Sequence, residues 1–150
     1  MALVGSLDHA TRRLVAHTSP IKRSADFSAH LEQLDQLYGP KPGRSVKPVV
    51  LVEENGPTHV GKVTRAALDA RKHWLTVEWL PKDAPELNDI EVVRHDLKAH
   101  HLADKTFTDV AALDRDIHAA VDALNRERNV DSLVNRRISA SAFAGAVRLT

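Results

Sequence analysis

The chain has 150 residues, of which 43% are hydrophobic and 27% charged, with a formal net charge of +1 and no cysteine. These values are those of an ordinary globular domain, and a chain of this length buries about 70% of its unfolded surface. The near-neutral charge means that any nucleic-acid-binding surface must be a local patch, and the lack of cysteine excludes disulfides and thiolate metal sites. No apolar run approaches the roughly 20 residues that a bilayer requires, and the N-terminus lacks the charge order of a secretory signal, so we expect a cytoplasmic protein.

The first third of the chain predicts a β-hairpin followed by a helix. The segments ALVGSLD and RLVAHTS, separated by HATR, have the composition of two paired strands. Ser24 is then placed to cap a helix whose apolar residues recur with the helical period. These residues are Phe27, Leu31, Leu34 and Tyr38. Gly39 follows the last of them, and the prolines and glycine after it mark the end of the helix.

The middle of the chain predicts two strands around a short helix. The run from Pro48 to Val52 is uninterrupted by polar groups, which is typical of a strand covered on both faces. A helix is expected over about Gly61 to Ala70, and WLTVEWL has the composition of a further strand. Ligands gather at the carboxyl ends of strands in open α/β sheets, and Glu53 and Glu54 stand at such an end. Strand alternation allows only one of them to face a given site; the alternative is a pair of solvated glutamates.

A helix beginning near Asn88 presents a charged face. Asn88 and Glu91 have the spacing of a capping box, which by itself explains both residues. The expected buried stripe consists of Ile90, Val93 and Leu97, while Glu91, Arg94, His95 and Lys98 share another face. One carboxylate beside several cations suits Mg²⁺ with phosphate oxygens, although a solvated charged face has the same pattern.

The remainder of the chain predicts one more helix and an uncertain tail. The helix is expected from about Thr108, with Leu113, Ile117, Val121 and Leu124 buried, and residues 129–150 show weak patterning. His100 and His101 point about 100° apart on a helix, so they are a poor zinc pair. There is no glycine-rich phosphate loop. The order of elements predicts an α/β layer fold.

Two longer segments resemble the DDE-type transposases of the mariner-like superfamily, in their bacterial insertion-sequence branch. The first segment, VVLVEENGPTHVGKVTRAAL, matches a strand that ends in an acid and Asn, with His after a short spacer, at Glu54, Asn55 and His59. The second segment, WLPKDAPELNDIEVVRHDLKAHHLADKTF, matches a strand, a P-x-x-x-P-E-L-N-x-I-E signature and a helix. Its matching residues are Pro81, Pro85, Glu86, Leu87, Asn88, Ile90 and Glu91. The resemblance covers roughly residues 1–128.

The resemblance implies a fold, an activity and a cofactor. The implied fold is an RNase H-like mixed sheet with flanking helices, here lacking its first strand, over residues 1–128. The implied activity is DNA cleavage and strand transfer, with three carboxylates holding two Mg²⁺ (or Mn²⁺) ions. Glu54 looks like the second carboxylate and Glu91 the third, and the 36 residues between them are similar to the family spacing. The implied partners are transposon-end DNA and further transposase subunits in a homo-oligomer.

The sequence departs from the family pattern in three respects. Glu54 stands where the family usually has Asp, and Arg94 where Trp is common. The first catalytic Asp would lie on a strand before Ala2–Leu7, and Asp8, at a hairpin turn, is a poor substitute. We therefore expect the C-terminal part of a transposase catalytic core, inactive alone. The alternatives are a non-catalytic remnant that binds DNA or transposase subunits, and an unrelated α/β ligand-binding module. The candidate DNA-phosphate contacts are Arg94, Lys98, Lys105, Lys41, Arg44 and Lys47.

Overall fold

The structure, a computed structural model, describes residues 1–21, 23–54, 61–82, 87–130 and 147–149. In chain order the elements are β1 (Ala2–Leu7), β2 (Leu14–Ser19), α1 (Ser24–Tyr38), β3 (Val49–Glu53), α2 (Lys62–Asp69), β4 (Leu75–Trp79), α3 (Asp89–Asp96), α4 (Val110–Val130) and β5 (Val147–Leu149). A π-helical segment, Leu97–His101, continues α3. The predicted α/β class is confirmed. No helix in the described part of the chain combines the length and apolar character of a membrane span.

The strands are divided between two sheets. β1 and β2 form an antiparallel hairpin, as predicted, with Leu7 opposite Leu14. β3, β4 and β5 form a parallel sheet in the order β4-β3-β5, so the apolar strand predicted near residues 48–52 is the central one. β5 lies in the stretch that the sequence left as an uncertain tail, and it pairs with β3 from Val49↔Val147 to Leu51↔Leu149. That pairing joins residues about a hundred positions apart, which local patterning cannot predict.

The hairpin loop is closed by a buried carboxylate. Asp8 has no exposed surface. Its Oδ1 accepts hydrogen bonds from the N–H groups of Ala10 (2.9 Å) and Thr11 (3.2 Å), and its Oδ2 accepts one from the Tyr38 hydroxyl (2.7 Å). Burial, followed by the hydrogen bond to Asp8, raises the pKa of the Tyr38 hydroxyl well above its usual value. The sequence placed Asp8 at a turn, and the structure shows that it holds this turn against the end of α1.

Helix α1 has the predicted span but a different N-terminal cap. Ser24 is the first helical residue and not the cap, so the predicted serine cap is wrong. The cap residue is Arg23, whose N–H donates to the Asp26 carboxylate at 2.7 Å. The Asp26 carboxylate in the first turn also complements the helix dipole, and the Asp26 N–H donates to the Arg23 carbonyl at 3.1 Å. At the other end, the Gly39 N–H donates to the Asp35 carbonyl at 2.9 Å.

Two apolar clusters lie on either side of the hairpin. One joins β2, α1, β3, α2 and β4 through Val15, Phe27, Leu31, Leu34, Val49, Leu51, Leu68, Trp74 and Leu75. The other joins the hairpin to α3, the π-helical segment and α4 through Leu7, Leu14, Ile90, Val93, Leu97, Ile117, Ala120, Val121 and Leu124. The predicted stripes of α1, α3 and α4 are therefore confirmed as core, except that Tyr38 and Leu113 are only partly buried and pack against the clusters. At about 1.5–3 kcal/mol for each fully buried large side chain, these clusters supply most of the folding free energy.

Helix α4 begins at Val110, two residues after the predicted start, with Asp109 as its cap: the Ala112 N–H donates to Asp109 Oδ1 at 2.7 Å. The helix also covers the free edge of β2. Asn125 accepts from the Leu14 N–H at 2.7 Å and donates to the Leu14 carbonyl at 2.9 Å, so both its side-chain atoms are bonded. The helix runs through position 128, where the catalytic domain was expected to end.

Candidate functional site

The candidate site lies at the carboxyl end of the central strand. Glu53 is the last residue of β3 and is buried, while Glu54 directly follows the strand and is half-buried. The Leu80 N–H donates to the Glu53 carbonyl at 2.9 Å, so β3 and β4 end side by side. The two glutamates therefore differ in environment, as strand alternation predicted. Glu54 is the one that reaches toward α3.

Asn88 connects this strand end to the start of α3. Its Nδ2 donates to Glu54 Oε1 at 3.1 Å, across a sequence separation of 34 residues. Asn88 occupies the N-cap position but makes no side-chain cap hydrogen bond. The predicted capping box is therefore wrong: the amide that was expected to bind its own helix is turned toward Glu54. The reason is tertiary, because a half-buried carboxylate is a stronger hydrogen-bond acceptor than neutral partners, and Asn88 is the neighbour with an N–H to donate.

Glu91 lies one helical turn beyond Asn88 and forms an ion pair with Arg94. The Glu91 N–H donates to the Asn88 carbonyl at 3.0 Å, and its carboxylate contacts the Arg94 guanidinium. The side chains of Arg94 and Glu91 are 32% and 40% exposed, so both remain accessible to a ligand. Glu54 is hydrogen-bonded to Asn88, and Glu91 lies on the helical turn that Asn88 begins. The Glu91 carboxylate is paired with Arg94.

The hairpin loop also reaches this helix start. His9 Nε2 lies 3.6 Å from Asp89 Oδ2, and Asp89 follows Asn88 in the chain. The end of β3, the first turn of α3 and the β1–β2 loop therefore meet at one place. These three elements carry three carboxylates, one amide and one imidazole: Glu54, Asn88, Asp89, Glu91 and His9.

The donor set fits one hard cation more readily than two. Within the described residues, no group of three or more His, Asp and Glu side chains is arranged to hold a metal ion. Mg²⁺ needs only one or two carboxylates with water and phosphate oxygens for the remaining positions. Asn88 is only 5% exposed, and its Oδ1 has no hydrogen-bond partner among the described residues. Glu54, Asp89, Glu91 and this amide oxygen are hard oxygen donors among the described residues of the site.

The basic side chains predicted to bind DNA phosphates differ in their exposure and in their ion-pair partners. Lys98 is exposed on the turn after Arg94. Lys105 Nζ lies 3.4 Å from Asp116 Oδ2, an ion pair that sequence reasoning did not foresee. Lys41, Arg44 and Lys47 are exposed, form no ion pair within the described residues, and line a depression of about 270 Å³ after α1. These three lie beside the amino end of β3, away from Glu54.

Several predicted positions lie outside the described residues. Asn55 and His59 of the first motif do so, as do Pro85 and Glu86 of the second. His95 is exposed on α3. The rings of His100 and His101 lie beside different carboxylates, at 3.4 Å from Asp96 and 3.4 Å from Glu127 respectively.

A buried histidine network was missed by the sequence. His30 is 1% exposed; its Nε2 lies 2.7 Å from the Ser6 hydroxyl and its Nδ1 lies 3.1 Å from Gln33 Oε1. Since the Gln33 oxygen can only accept, Nδ1 carries the proton and Nε2 accepts from Ser6. Burial lowers the pKa of His30 to about 4. The helical spacing between Phe27, His30 and Leu34 was a signal for burial, but only the fold supplied Ser6.

Comparison with known proteins agrees with the motifs at the site. The chain matches the family model described as DDE superfamily endonuclease over residues 1–114. That range includes both candidate carboxylates, Glu54 and Glu91, and ends within α4. A search of curated proteins finds no match. A match over most of the chain is sufficient to establish the family: the protein belongs to the DDE superfamily endonucleases.

Proposed function

We propose that this protein is part of a transposase catalytic core in which Glu54 and Glu91 bind Mg²⁺ beside DNA. The observation that carries the proposal is the hydrogen bond from Asn88 to Glu54, which joins the end of β3 to the first turn of α3. Glu54 and Glu91 have 36 residues between them in the sequence, and this hydrogen bond supports a shared site because Asn88 lies one helical turn before Glu91. The proposed branch of the family is the mariner-like one, and the proposed location is the cytoplasm.

The residues of the site divide into two roles. Glu54 and Glu91 would hold the ion, which when bound supplies a Lewis acid for a phosphodiester oxygen. Arg94 and Lys98 follow Glu91 along α3 and would bind DNA phosphates. Arg94 now neutralises Glu91, so a metal ion at Glu91 would free Arg94 for a phosphate. Lys105 is a weaker candidate because Asp116 already pairs with it.

We further propose that the chain alone does not cut or join DNA. Two-metal phosphoryl transfer needs a set of carboxylates that holds both ions, and among the described residues no three His, Asp or Glu side chains are grouped to hold a metal ion. Glu54 is also one methylene longer than the Asp usual in the family, which shifts its oxygens by about 1.5 Å, a displacement large enough to disturb catalytic geometry. Members of such a unit act together, so losing one removes most of the activity.

Nicking of supercoiled plasmid tests this part of the proposal. The wild-type chain with Mg²⁺ or Mn²⁺ should nick no more than Glu91→Ala, which removes one candidate ligand without touching the buried stripe of α3. Nicking by the wild type that Glu91→Ala abolishes would show a complete active site and contradict the proposed inactivity.

A non-catalytic DNA-binding role is the second candidate, and it is favoured by the exposed cations. Lys41, Arg44 and Lys47 have no acidic partner within the described residues, and no acid occurs between Asp35 and Glu53 in the sequence. In this role the protein would bind DNA, or subunits of a complete transposase, and interfere with transposition.

Salt dependence of duplex binding tests whether these cations contact DNA. Each phosphate contact contributes about −0.9 to the slope of log affinity against log salt. Changing Lys41, Arg44 and Lys47 together to Gln should flatten the slope by about 2 to 3. The matched control changes the exposed Arg12, Arg115 and Arg126 to Gln, which lowers the net charge equally. Equal effects of the two triple variants would show that net charge alone governs binding.

A further inference from the structure

The side-chain amide of Asn88 is buried, and its oxygen makes no hydrogen bond within the described part of the chain. Asn88 is 5% exposed, its Nδ2 donates to Glu54 at 3.1 Å, and its Oδ1 has no partner among the described residues. A buried acceptor without a partner costs about 1–3 kcal/mol, so such atoms are rare and require an explanation. A ligand that this oxygen can bind would explain it, and the carboxylate next to the amide nitrogen indicates a cation.

Helix capping does not use this oxygen. An N-cap oxygen would accept from the backbone N–H of the second or third helical residue. Here the third, Glu91, donates its N–H to the main-chain carbonyl of Asn88 at 3.0 Å, and the Asn88 side chain makes no cap bond. The amide has therefore been directed away from the helix and toward Glu54 at the expense of its ordinary local role.

The distance between the two side chains matches that between adjacent ligands of Mg²⁺. In an octahedral site with bonds of 2.0–2.1 Å, neighbouring oxygens are about 3.0 Å apart. The Asn88 amide nitrogen lies 3.1 Å from Glu54 Oε1. A half-turn of the side-chain amide exchanges the positions of its nitrogen and oxygen. The surrounding residues can accommodate this turn because the two ends of the amide have nearly the same shape. The turn places Oδ1 beside Glu54 Oε1, an arrangement that is repulsive without a cation and favourable with one.

We propose that Asn88 is a ligand of the metal ion bound at Glu54, and that its amide turns over when the ion binds. Without metal, the N–H group donates to Glu54 and neutralises part of its charge. With metal, the amide oxygen faces the ion together with the carboxylate. Asn suits this position better than Asp because a second carboxylate 3.1 Å away would repel Glu54 whenever the site is empty. This inference rests on the proposed function, since it presupposes a metal ion at Glu54.

Nuclear magnetic resonance of the side-chain amide groups in the full chain tests the turn directly. On addition of Mg²⁺ the Asn88 NH₂ signals should shift, and Mn²⁺ should broaden them because the ion lies next to the amide. Asn125 is the internal control, since its oxygen and nitrogen are both bonded to Leu14 and its signals should stay in place. The Asn88 signals are assigned by their loss in Asn88→Ala.

Metal affinity of variants gives a second readout that does not depend on DNA cleavage. Mn²⁺ binding to Asn88→Ala should be about tenfold weaker or more, as for the loss of other supporting groups of metal sites. Asn88→Asp should bind Mn²⁺ more tightly than the wild type, because it adds a carboxylate. Glu54→Gln should abolish binding.

The outcomes separate this inference from the proposed function. If Glu54→Gln abolishes Mn²⁺ binding while Asn88→Ala binds as tightly as the wild type and the Asn88 signals do not move, Asn88 is not a ligand and the metal site stands. If the wild type binds no Mn²⁺, or binds it equally well with Glu54→Gln, the proposed site falls and the role of Asn88 falls with it.

Discussion

Asp8 and Glu54 differ in their burial and in the hydrogen bonds of their surroundings. Asp8 is fully buried, and its carboxylate accepts three hydrogen bonds, from Ala10, Thr11 and Tyr38. Glu54 is half-buried, and Asn88, which donates to it, keeps a buried oxygen without a partner in the described part of the chain. The two regions are neighbours, since His9, next to Asp8, approaches Asp89, next to Asn88.

The difference separates a structural carboxylate from one available for binding. A fully buried carboxyl group whose two oxygens are both hydrogen-bonded stabilises one conformation of the chain around it. The carboxylate of Glu54 lies beside an amide whose oxygen has no hydrogen-bond partner among the described residues. A ligand that bound this oxygen would stabilise the folded protein. From its place in the sequence, Asp8 is a poor substitute for the first catalytic Asp of the family. The hydrogen bonds of Asp8 instead hold the hairpin loop in place.

The largest expected effect is the loss of stability on removing the Asp8 carboxylate. Asp8→Ala should lower the free energy of unfolding by about 3–4 kcal/mol, because hydrogen bonds to a charged acceptor are lost and the Tyr38 hydroxyl is left buried. Asp8→Asn, which keeps an acceptor for the loop, should lower it by about 1 kcal/mol and leave Mn²⁺ affinity unchanged. Urea unfolding measures both. A change below about 0.5 kcal/mol for Asp8→Ala would remove the basis of the comparison.

The next largest effect is the dependence of the free energy of unfolding on pH. It comes from His30, which, like Asp8, is a buried group with hydrogen-bond partners. Burial is the main cause that lowers the pKa of His30 to about 4; the hydrogen bond with Gln33 opposes the shift, and the nearby His17 and Arg94 add to it. An unfolded histidine titrates near 6.5, so between about pH 6.5 and 4 the unfolded chain binds a proton that the folded chain does not. This contribution is fully present above pH 6.5 and is lost as the pH falls, by up to about 3 kcal/mol.

Urea unfolding between pH 4 and 7 tests this effect, with His30→Gln as the control. The difference between the wild type and His30→Gln should grow toward neutral pH, since the remaining titratable groups are common to both. The same dependence on pH in both proteins would assign the acid sensitivity to other residues.

The smallest expected effect sharpens the contrast at Glu54. Asn88→Ala should change the free energy of unfolding by less than about 1 kcal/mol without metal, because losing one hydrogen bond is offset by removing an unsatisfied buried oxygen. A structural N-cap would instead cost about 1–2 kcal/mol. Unfolding in the presence of a chelator distinguishes the two. A loss above 2 kcal/mol would place Asn88 with Asp8, as a residue that maintains the fold.

The sequence by itself determined the family and every element of the fold except β5 and the π-helical segment. Apolar spacing predicted the hairpin, α1, β3, α2, β4, α3 and α4, because period and composition are properties of a few neighbouring residues. The two motifs predicted the DDE superfamily, and they supplied Glu54 and Glu91 as candidates. Whether these two residues share a metal ion stays a prediction.

Only the tertiary structure decided which partners the polar side chains take. The sequence indicated caps at Ser24 and Asn88, yet the cap residue of α1 is Arg23, bonded to Asp26, and the Asn88 side chain bonds Glu54. It could not indicate the pairing of β5 with β3, the bonds between Asn125 and Leu14, or Ser6 as the partner of His30. Local patterns report which residues are apolar and at what period. The partner of a buried donor or acceptor is the strongest group within about 3 Å, and that is set by packing of distant segments.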